Sequence, residues 1–243
     1  MKTALILGAK SGIAKSLAME LAMRKIDMVW AARNALELRG FSTEVEDKFD
    51  IKVELREFDA LKLESHKPFV ESLAKEIDAV FCVFGYLGNQ QKAEVDEVER
   101  NKIIDTNYTG AVSVLALLAA RFEQNKHGFI IGISSVAGER VRASNYFYGS
   151  SKASFTAYLK NLSKRLQSSN VKVITVKPGY VNTPMVTHLN LPSMLVISPE
   201  RAAKDILVAM DRGQSEVYVP GIWRYVAAAV NLIPESLFKR MKF

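Results

Sequence analysis

The chain has 243 residues, of which 49% are hydrophobic and 24% charged, a composition typical of a globular protein that buries a large core. Three histidines and one cysteine, Cys82, provide no zinc-ligand spacing and no disulfide within the chain. The net charge of +7 is spread along the chain without a basic-aromatic stripe, so the sequence predicts neither a metal site nor a nucleic-acid partner.

Short apolar segments alternate with longer segments of helical period. The apolar runs predict strands at residues 3–7, 28–32, 51–57, 78–84, 129–134, 171–176 and 216–219. The helical spacing predicts helices at residues 12–25, 35–48, 64–76, 96–124, 146–168, 199–212 and 222–232. This order predicts one three-layer α/β domain over residues 1–243, with a doubly wound parallel sheet of seven strands and helices on both faces. The segment 182–198, which contains Pro184 and Pro192, is predicted to be a loop or lid.

The first strand ends in a glycine-containing turn, LILGAKSGIA. Small residues allow a backbone to turn sharply and approach a pyrophosphate, and the following helix N-terminus offers free N–H groups. Ala14 allows close packing of this helix on the sheet, where a third glycine is common. We expect a dinucleotide to bind Gly8, Lys10, Ser11, Gly12 and Ile13. The alternative is a tight turn between strand and helix with no ligand.

The end of the second strand indicates which dinucleotide binds. A carboxylate at this point would bind a ribose 2′-hydroxyl, but the sequence has Ala32 followed by Arg33. An arginine suits a 2′-phosphate, and Lys10 adds a second cation, so NADP(H) is favoured while NAD(H) stays open. The alternative is that both cations face solvent. Asp59, after the third strand, is placed either to contact adenine or to cap the next helix.

Tyr148 and Lys152 stand four residues apart in the segment NYFYGSSKASF, and such residues share one face of a helix. A free phenol has a pKa of about 10, and a nearby ammonium lowers it towards a value useful for proton transfer. This spacing is common by chance, so a catalytic interpretation of the pair depends on the residues found elsewhere in the sequence. Ser135 follows the fifth strand, and Asn107 lies in the long predicted helix.

At these residues the chain resembles the short-chain dehydrogenase/reductase family over nearly its whole length. The resemblance implies a Rossmann-type fold, and Gly85, Pro178, Gly179, Val181 and Thr183 as further cofactor-binding residues. It also implies a catalytic tetrad. Tyr148 protonates the substrate oxygen and Ser135 orients that oxygen, with Ser134 as the competing serine. Lys152 binds the nicotinamide ribose and lowers the pKa of the tyrosine, and Asn107 holds a water in a proton relay.

The chain departs from the family pattern near the adenosine side. Leu7 stands in a threonine position, Ala14 replaces the last glycine, and CVFG at 82–85 replaces the asparagine-rich end of the fourth strand. The tetrad is unaffected.

A narrower resemblance rests on GERVR at 138–142 and on WRYVAAAVNLIPESLFKRMKF at the C-terminus. These segments are similar to the decaprenylphosphoryl keto-pentose reductases of the mycobacterial arabinan pathway. The resemblance implies reduction of a keto-sugar carried on polyprenyl phosphate, in cell-wall biogenesis, with a separate flavin oxidase as pathway partner. Arg140 and Arg142 are placed either to meet a phosphate beside the pocket or to form a surface or subunit contact. The alternatives are a ketoreductase for a soluble substrate and a non-catalytic dinucleotide-binding protein.

The C-terminal helical tail, residues 222–243, is too short to span a bilayer. Its apolar residues and its cations, among them Lys239, Arg240 and Lys242, suit either a helix lying on an anionic membrane or one packed on the core or on a second subunit. We expect a cytoplasmic protein, peripheral at the inner face of the membrane in the first case. The family resemblance implies a homodimer or homotetramer.

Overall fold

The computed structural model describes residues 1–74, 76–185, 195–238, 240 and 241. The central sheet consists of seven parallel strands in the order β3-β2-β1-β4-β5-β6-β9. These strands are β1 (Thr3–Leu7), β2 (Asp27–Ala32), β3 (Val53–Glu57), β4 (Ala79–Cys82), β5 (Gly128–Ile133), β6 (Val171–Pro178) and β9 (Glu216–Val219). Two further short strands, β7 (Tyr180–Val181) and β8 (Val196–Ile197), pair with each other outside this sheet.

Helices cover both faces of the sheet. They are α1 (Gly12–Met23), α2 (Arg39–Phe49), α3 (Leu63–Ser72), α4 (Gln90–Val95), α5 (Glu97–Ile104), α6 (Gly110–Asn125), α7 (Tyr146–Leu166), α8 (Pro199–Asp211), α9 (Trp223–Leu232) and α10 (Glu235–Phe238). One core cluster packs α1, α2 and α8 against the sheet, and the other packs α3, α6 and α7. The predicted three-layer, doubly wound α/β fold with seven parallel strands is confirmed.

The prediction of one continuous helix at 96–124 is wrong in one respect, because the observed helix is interrupted. Residues Asp105–Thr109 form a π-helical turn between α5 and α6. The side-chain amide of Asn107 donates to the carbonyl of Ile103, which places a side chain inside the helical ladder. The interruption brings Asn107 to the inner side of the helix, where it is fully buried.

Other boundaries also differ from the prediction. The second predicted helix begins as a 3₁₀ turn, Ala35–Leu38, before α2. α4 was not predicted, because its six residues are too few for a helical period to stand out. Within the predicted loop 182–198, residues 196–197 form β8, while residues 186–194, including Pro192, lie outside the described residues.

The tail forms α9 and α10. The inner side of α9 buries Trp223 and Ala227. Tyr225 and Leu232 are 72% and 84% exposed. Packing on the core is therefore observed for one side of the tail, and its predicted cations Lys239 and Lys242 lie outside the described residues.

Asp78 joins three strands at the amino edge of the sheet. Its carboxylate accepts from the backbone N–H groups of Lys2 and Thr3, and its carbonyl accepts from Phe129 N at 2.8 Å. Burial acts to raise the pKa of Asp78, but the two N–H groups, together with the positive charges of the N-terminus and His127, outweigh it and leave the pKa lowered.

We expect Asp78→Asn to lower the free energy of unfolding by about 1–3 kcal/mol at neutral pH, because two backbone donors lose a charged acceptor. Since the pKa of the carboxyl is lower in the folded state, this stabilisation is complete above the unfolded pKa of about 3.9 and is lost as the pH falls through the folded pKa. Urea unfolding at neutral and acidic pH measures it. The matched control is Asp47→Asn on the exposed side of α2. An equal loss in both variants would contradict the role of Asp78.

Candidate active site

Four of the predicted residues converge where β4 and β5 end beside α7. Lys152, on α7, is 3% exposed, and its Nζ donates to the carbonyl of Ile133 at 2.9 Å. The same Nζ lies 5.8 Å from the centre of the Tyr148 ring, one helical turn earlier. A Cβ built on Gly85 would lie 3.0 Å from Asn107 Oδ1 and 3.4 Å from Lys152 Nζ. A side chain at position 85 would therefore crowd both Asn107 and Lys152.

Ser134 and Ser135 have different surroundings. Ser134 is buried, and its hydroxyl donates to the carbonyl of Lys152 at 2.9 Å and pairs with the hydroxyl of Thr156 at 2.7 Å. Ser135 is half-buried, accepts from Ala137 N at 3.1 Å, and lies near enough to Tyr148 to lower the pKa of its phenol. Ser134 therefore fixes α7 against β5, and Ser135 is the serine beside the tyrosine.

Asn107 joins the loop after β4 to the π-helical turn. Its Nδ2 donates to the carbonyls of Tyr86 at 2.6 Å and Ile103 at 2.8 Å. Its Oδ1 accepts from Tyr86 N at 3.1 Å. Both N–H donors of the side-chain amide are thus used by backbone carbonyls. The side chain therefore acts as a strut, a fixed link that holds the loop after β4 against the π-helical turn. The implied water relay stays a prediction.

Burial governs the electrostatics of the pair. Burial raises the pKa of Tyr148 to about 12, and the hydrogen bond from Ser135 opposes the rise. Burial lowers the pKa of Lys152 to about 8. Burial therefore dominates the pKa of both groups, and the implied lowering of the phenol pKa by Lys152 stays a prediction.

The glycine turn forms a cradle. Gly8 has φ +86°, and a Cβ there would lie 2.6 Å from Phe84 N. A Cβ on Gly12 would lie 3.2 Å from the methyl carbon of Thr183. Ser11 caps α1 by accepting from Ala14 N at 3.1 Å. The first N–H groups of a helix lack partners within it and attract anions, so the turn, α1 and Thr183 fit a dinucleotide pyrophosphate.

The residues predicted to choose between the dinucleotides lie near this turn. Arg33 is exposed. Lys10 makes an ion pair of 2.5 Å with Glu37, on the 3₁₀ turn after β2. Asp59 accepts from Leu61 N at 3.0 Å, so its carboxylate stabilises a turn before α3, and the carboxylate does not cap that helix directly.

The segment that follows β6 brings Pro178, Gly179, Val181 and Thr183 to the same edge of the sheet. Gly179 N donates to the carbonyl of Val219 at 2.9 Å, and Thr183 Oγ1 donates to the carbonyl of Val181 at 3.2 Å. The Trp223 indole lies where a side chain at position 179 would have to lie. A glycine is therefore required by packing as well as by its proposed closeness to the cofactor.

Sequence reasoning missed Lys177 as a buried cation. It is 1% exposed, forms an ion pair with Glu139, and forms another of 2.9 Å with Glu216. Glu216 also pairs with Lys160 of α7 at 2.9 Å. Nothing in the alternation of β6 separates a buried lysine from a solvated one, because the partners come from distant parts of the chain.

Comparison with known proteins agrees with this geometry. Residues 2–193 match the family model described as short chain dehydrogenase. An uncharacterized oxidoreductase of Mycobacterium tuberculosis is 36% identical over 97% of this chain and 95% of its own length. A short-chain dehydrogenase from Sphingobium yanoikuyae in complex with NADPH has a TM-score of 0.83 at 24% identity, covering 100% of this chain and 97% of that one. A short chain dehydrogenase from Burkholderia cenocepacia in complex with NADP has a TM-score of 0.82 at 21% identity, and the match covers 100% of both chains.

The strut role of Asn107 can be tested without a substrate. Asn107→Leu keeps the size of the side chain and removes its three hydrogen bonds to the backbone of Tyr86 and Ile103, so we expect a loss of about 3 kcal/mol or more in the free energy of unfolding. Urea unfolding measures the loss. Asn161→Leu is the matched control, because Asn161 is exposed on α7 and donates only to the carbonyl of Ala157, and we expect a change within about 0.5 kcal/mol. Equal losses would show that Asn107 is no strut.

Proposed function

Because the chain belongs to the short-chain dehydrogenase family, we propose that it is an NADP(H)-dependent oxidoreductase that reduces a ketone to a secondary alcohol. The observation that carries this proposal is the grouping of Ser135, Tyr148 and Lys152 beside the residues that fit a dinucleotide. Ser135 lies near enough to Tyr148 to lower the pKa of its phenol, and the Lys152 ammonium lies 5.8 Å from the centre of the phenol ring. The relatedness to an oxidoreductase over almost the whole chain supports the reaction class.

Each residue has a role in this reaction that follows from its surroundings. When bound, NADPH supplies the hydride for the carbonyl carbon. Tyr148 gives its proton to the substrate oxygen, and Ser135 donates a hydrogen bond that orients this oxygen. Lys152 stabilises the phenolate that remains, because opposite charges attract strongly in a buried site.

The protonation states suit reduction. With a pKa of about 12, the phenol of Tyr148 carries its proton at neutral pH, and it donates that proton only where Lys152 and Ser135 stabilise the phenolate that remains. With a pKa of about 8, most Lys152 is still ammonium at pH 7.

The choice of NADP(H) over NAD(H) is supported by the cations near the end of β2. Arg33 is exposed and available to a 2′-phosphate, and Lys10 lies in the glycine turn. Glu37 holds Lys10 in the cofactor-free chain. A phosphate would compete with this carboxylate for the ammonium. Two solved structures with the same fold are bound to NADPH and NADP.

For the substrate, we favour a keto-sugar linked to polyprenyl phosphate, reduced at the cytoplasmic side of the membrane in a pathway that includes a flavin oxidase. The resemblance of GERVR and of the tail supports this choice. Tyr225 and Leu232 on the outer side of α9 are exposed, with Arg224 beside them, which suits an anionic bilayer. A homodimer or homotetramer is part of the same proposal.

A soluble ketone is the second candidate. Arg140 favours it, because its guanidinium is occupied by carbonyls of the tail, which supports a contact within the protein over the alternative of binding a phosphate beside the pocket. A non-catalytic dinucleotide-binding protein is disfavoured by the complete Ser135, Tyr148 and Lys152 set.

The function is tested with Tyr148→Phe. We expect the variant to lose ketone reduction by about a hundredfold or more, because the proton donor is absent, while NADPH affinity stays nearly unchanged. Loss of nicotinamide absorbance is followed with a polyprenyl-phosphate keto-pentose, a soluble keto-sugar phosphate and small ketones, each with and without anionic vesicles. Tyr146→Phe is the matched control. Retained turnover in Tyr148→Phe would overturn the catalytic assignment, and activity limited to small ketones would select the second candidate.

Cofactor choice is tested with Arg33→Ala. We expect this variant to weaken NADPH binding about tenfold, because a charge-assisted pair to the 2′-phosphate is lost, and to leave NADH binding unchanged. Nicotinamide fluorescence titration gives both dissociation constants. Arg165→Ala, at the far end of α7 and paired with Glu123, serves as the control. Equal weakening of both cofactors would show that Arg33 does not read the phosphate.

A further inference from the structure

The helix α9 contacts the segment after β6 that is proposed to bind the cofactor. Trp223, the first residue of α9, is 4% exposed and packs directly on Gly179. Its ring also meets the ring of Tyr180 edge-on, with centroids 5.5 Å apart. The N-terminal end of α9 therefore packs against residues 179–180.

The other end of α9 contacts the loop that carries Ser135. Nη1 of Arg140 donates to the carbonyls of Val230 at 2.6 Å and Ile233 at 2.5 Å. Its guanidinium lies 3.9 Å from the centre of the Phe238 ring. The last carbonyls of a helix lack partners within it and carry partial negative charge, so a guanidinium is well suited to cap them. Arg140 thus attaches the loop to the C-terminal end of α9.

A buried ion pair joins the same loop and segment from inside. Glu139 precedes Arg140 and pairs with Lys177, which immediately precedes Pro178. Gly138 packs against α7, where a Cβ would lie 2.7 Å from Ala153 N. Three consecutive residues therefore contact α7, the end of β6 and the tail.

We propose that α9 is a clasp that positions the Ser135 loop, residues 135–140, relative to the cofactor segment, residues 178–181. Arg140 and Trp223 are its two attachment points, and both are positioning residues. The inference rests on the proposed function, which gives the loop and the segment their roles. The exposed outer side of α9 remains available for a membrane, so the clasp is compatible with either proposed substrate.

A clasp differs from ordinary packing in one measurable way. If α9 couples the two segments, releasing either end loosens both of them. If Arg140 and Trp223 only stabilise their own surroundings, each substitution loosens only the segment that the residue touches. Exchange of backbone amide hydrogens reports both segments in one experiment, without a substrate.

The test compares amide exchange in the unaltered chain, Arg140→Met and Trp223→Phe, all without cofactor. Reporters are Gly179 N, bonded to Val219 O at 2.9 Å, and Gly138 N, bonded to Ser135 O at 3.2 Å. We expect Arg140→Met to speed exchange at Gly179 by about tenfold, the effect of one charged hydrogen bond. We expect Trp223→Phe to speed exchange at Gly138 in the same direction.

Two further variants serve as controls. Arg140→Lys keeps a cation that can reach one carbonyl, so we expect partial rescue at both reporters. Arg24→Met removes a bidentate ion pair with Asp211 between α1 and α8, at 2.8 Å for each bond, and leaves the clasp intact. We expect it to change neither reporter. Effects confined to the segment nearest each substitution, or equal effects from Arg24→Met, would overturn the clasp.

Titration with NADPH separates this inference from the proposed function. We expect NADPH to slow exchange at Gly179 and Gly138 together in the unaltered chain, and at Gly179 alone in Arg140→Met. Coupled loosening without NADPH binding would refute the NADPH-dependent function and leave the clasp standing. NADPH binding that protects Gly138 equally in Arg140→Met would refute the clasp and leave the function standing.

Discussion

The candidate site depends on the burial of one ammonium group. Lys152 lies inside the protein where β4, β5 and α7 meet, and its Nζ is held by the carbonyl of Ile133. A buried charge is costly unless its surroundings are fixed. Gly85 leaves space for it, and Ser134 anchors the backbone of Lys152 itself to the end of β5. The residues around the ammonium are therefore constrained by packing before any cofactor or substrate is considered.

The same burial sets the chemistry of the tyrosine. Loss of solvent raises the pKa of Tyr148 and lowers that of Lys152, so at neutral pH the neutral phenol stands near a cation that loses its proton readily. A phenol of this kind is a poor base until a charge or hydrogen bond stabilises its phenolate. Ser135 already acts in that direction. Proton donation by Tyr148 and proton abstraction by its phenolate therefore both depend on groups that stabilise the phenolate.

The fold could be predicted from the sequence, because alternating apolar and helical segments reflect local periodicity. The Tyr-x-x-x-Lys spacing is common by chance, so the site residues were predicted from the family resemblance of their surroundings. The interruption of the long helix at Asn107 could not be predicted, since it depends on a side chain bonding a distant loop at Tyr86. The burial of Lys177 has the same cause, with partners 38 and 39 residues away, at Glu139 and Glu216. The capping role of Arg140 depends on carbonyls about 90 residues further along the chain. Hydrogen bonds and ion pairs between residues far apart in the chain produce no periodic pattern in the sequence from which they could be predicted.

The departures from the family pattern at the end of β4 are explained by such long-range contacts. The CVFG segment lacks the expected asparagines, yet Val83 N donates to the carbonyl of Leu7 at 2.9 Å and continues the sheet pairing with β1. Two residues beyond, Gly85 lies against Asn107, whose amide holds the backbone of Tyr86 on both sides. The end of β4 is therefore fixed by the strand on one side and by the π-helical turn on the other. Since Gly85 lies beside Lys152 and Asn107, the geometry of the site in this chain depends on the π-helical turn that carries Asn107.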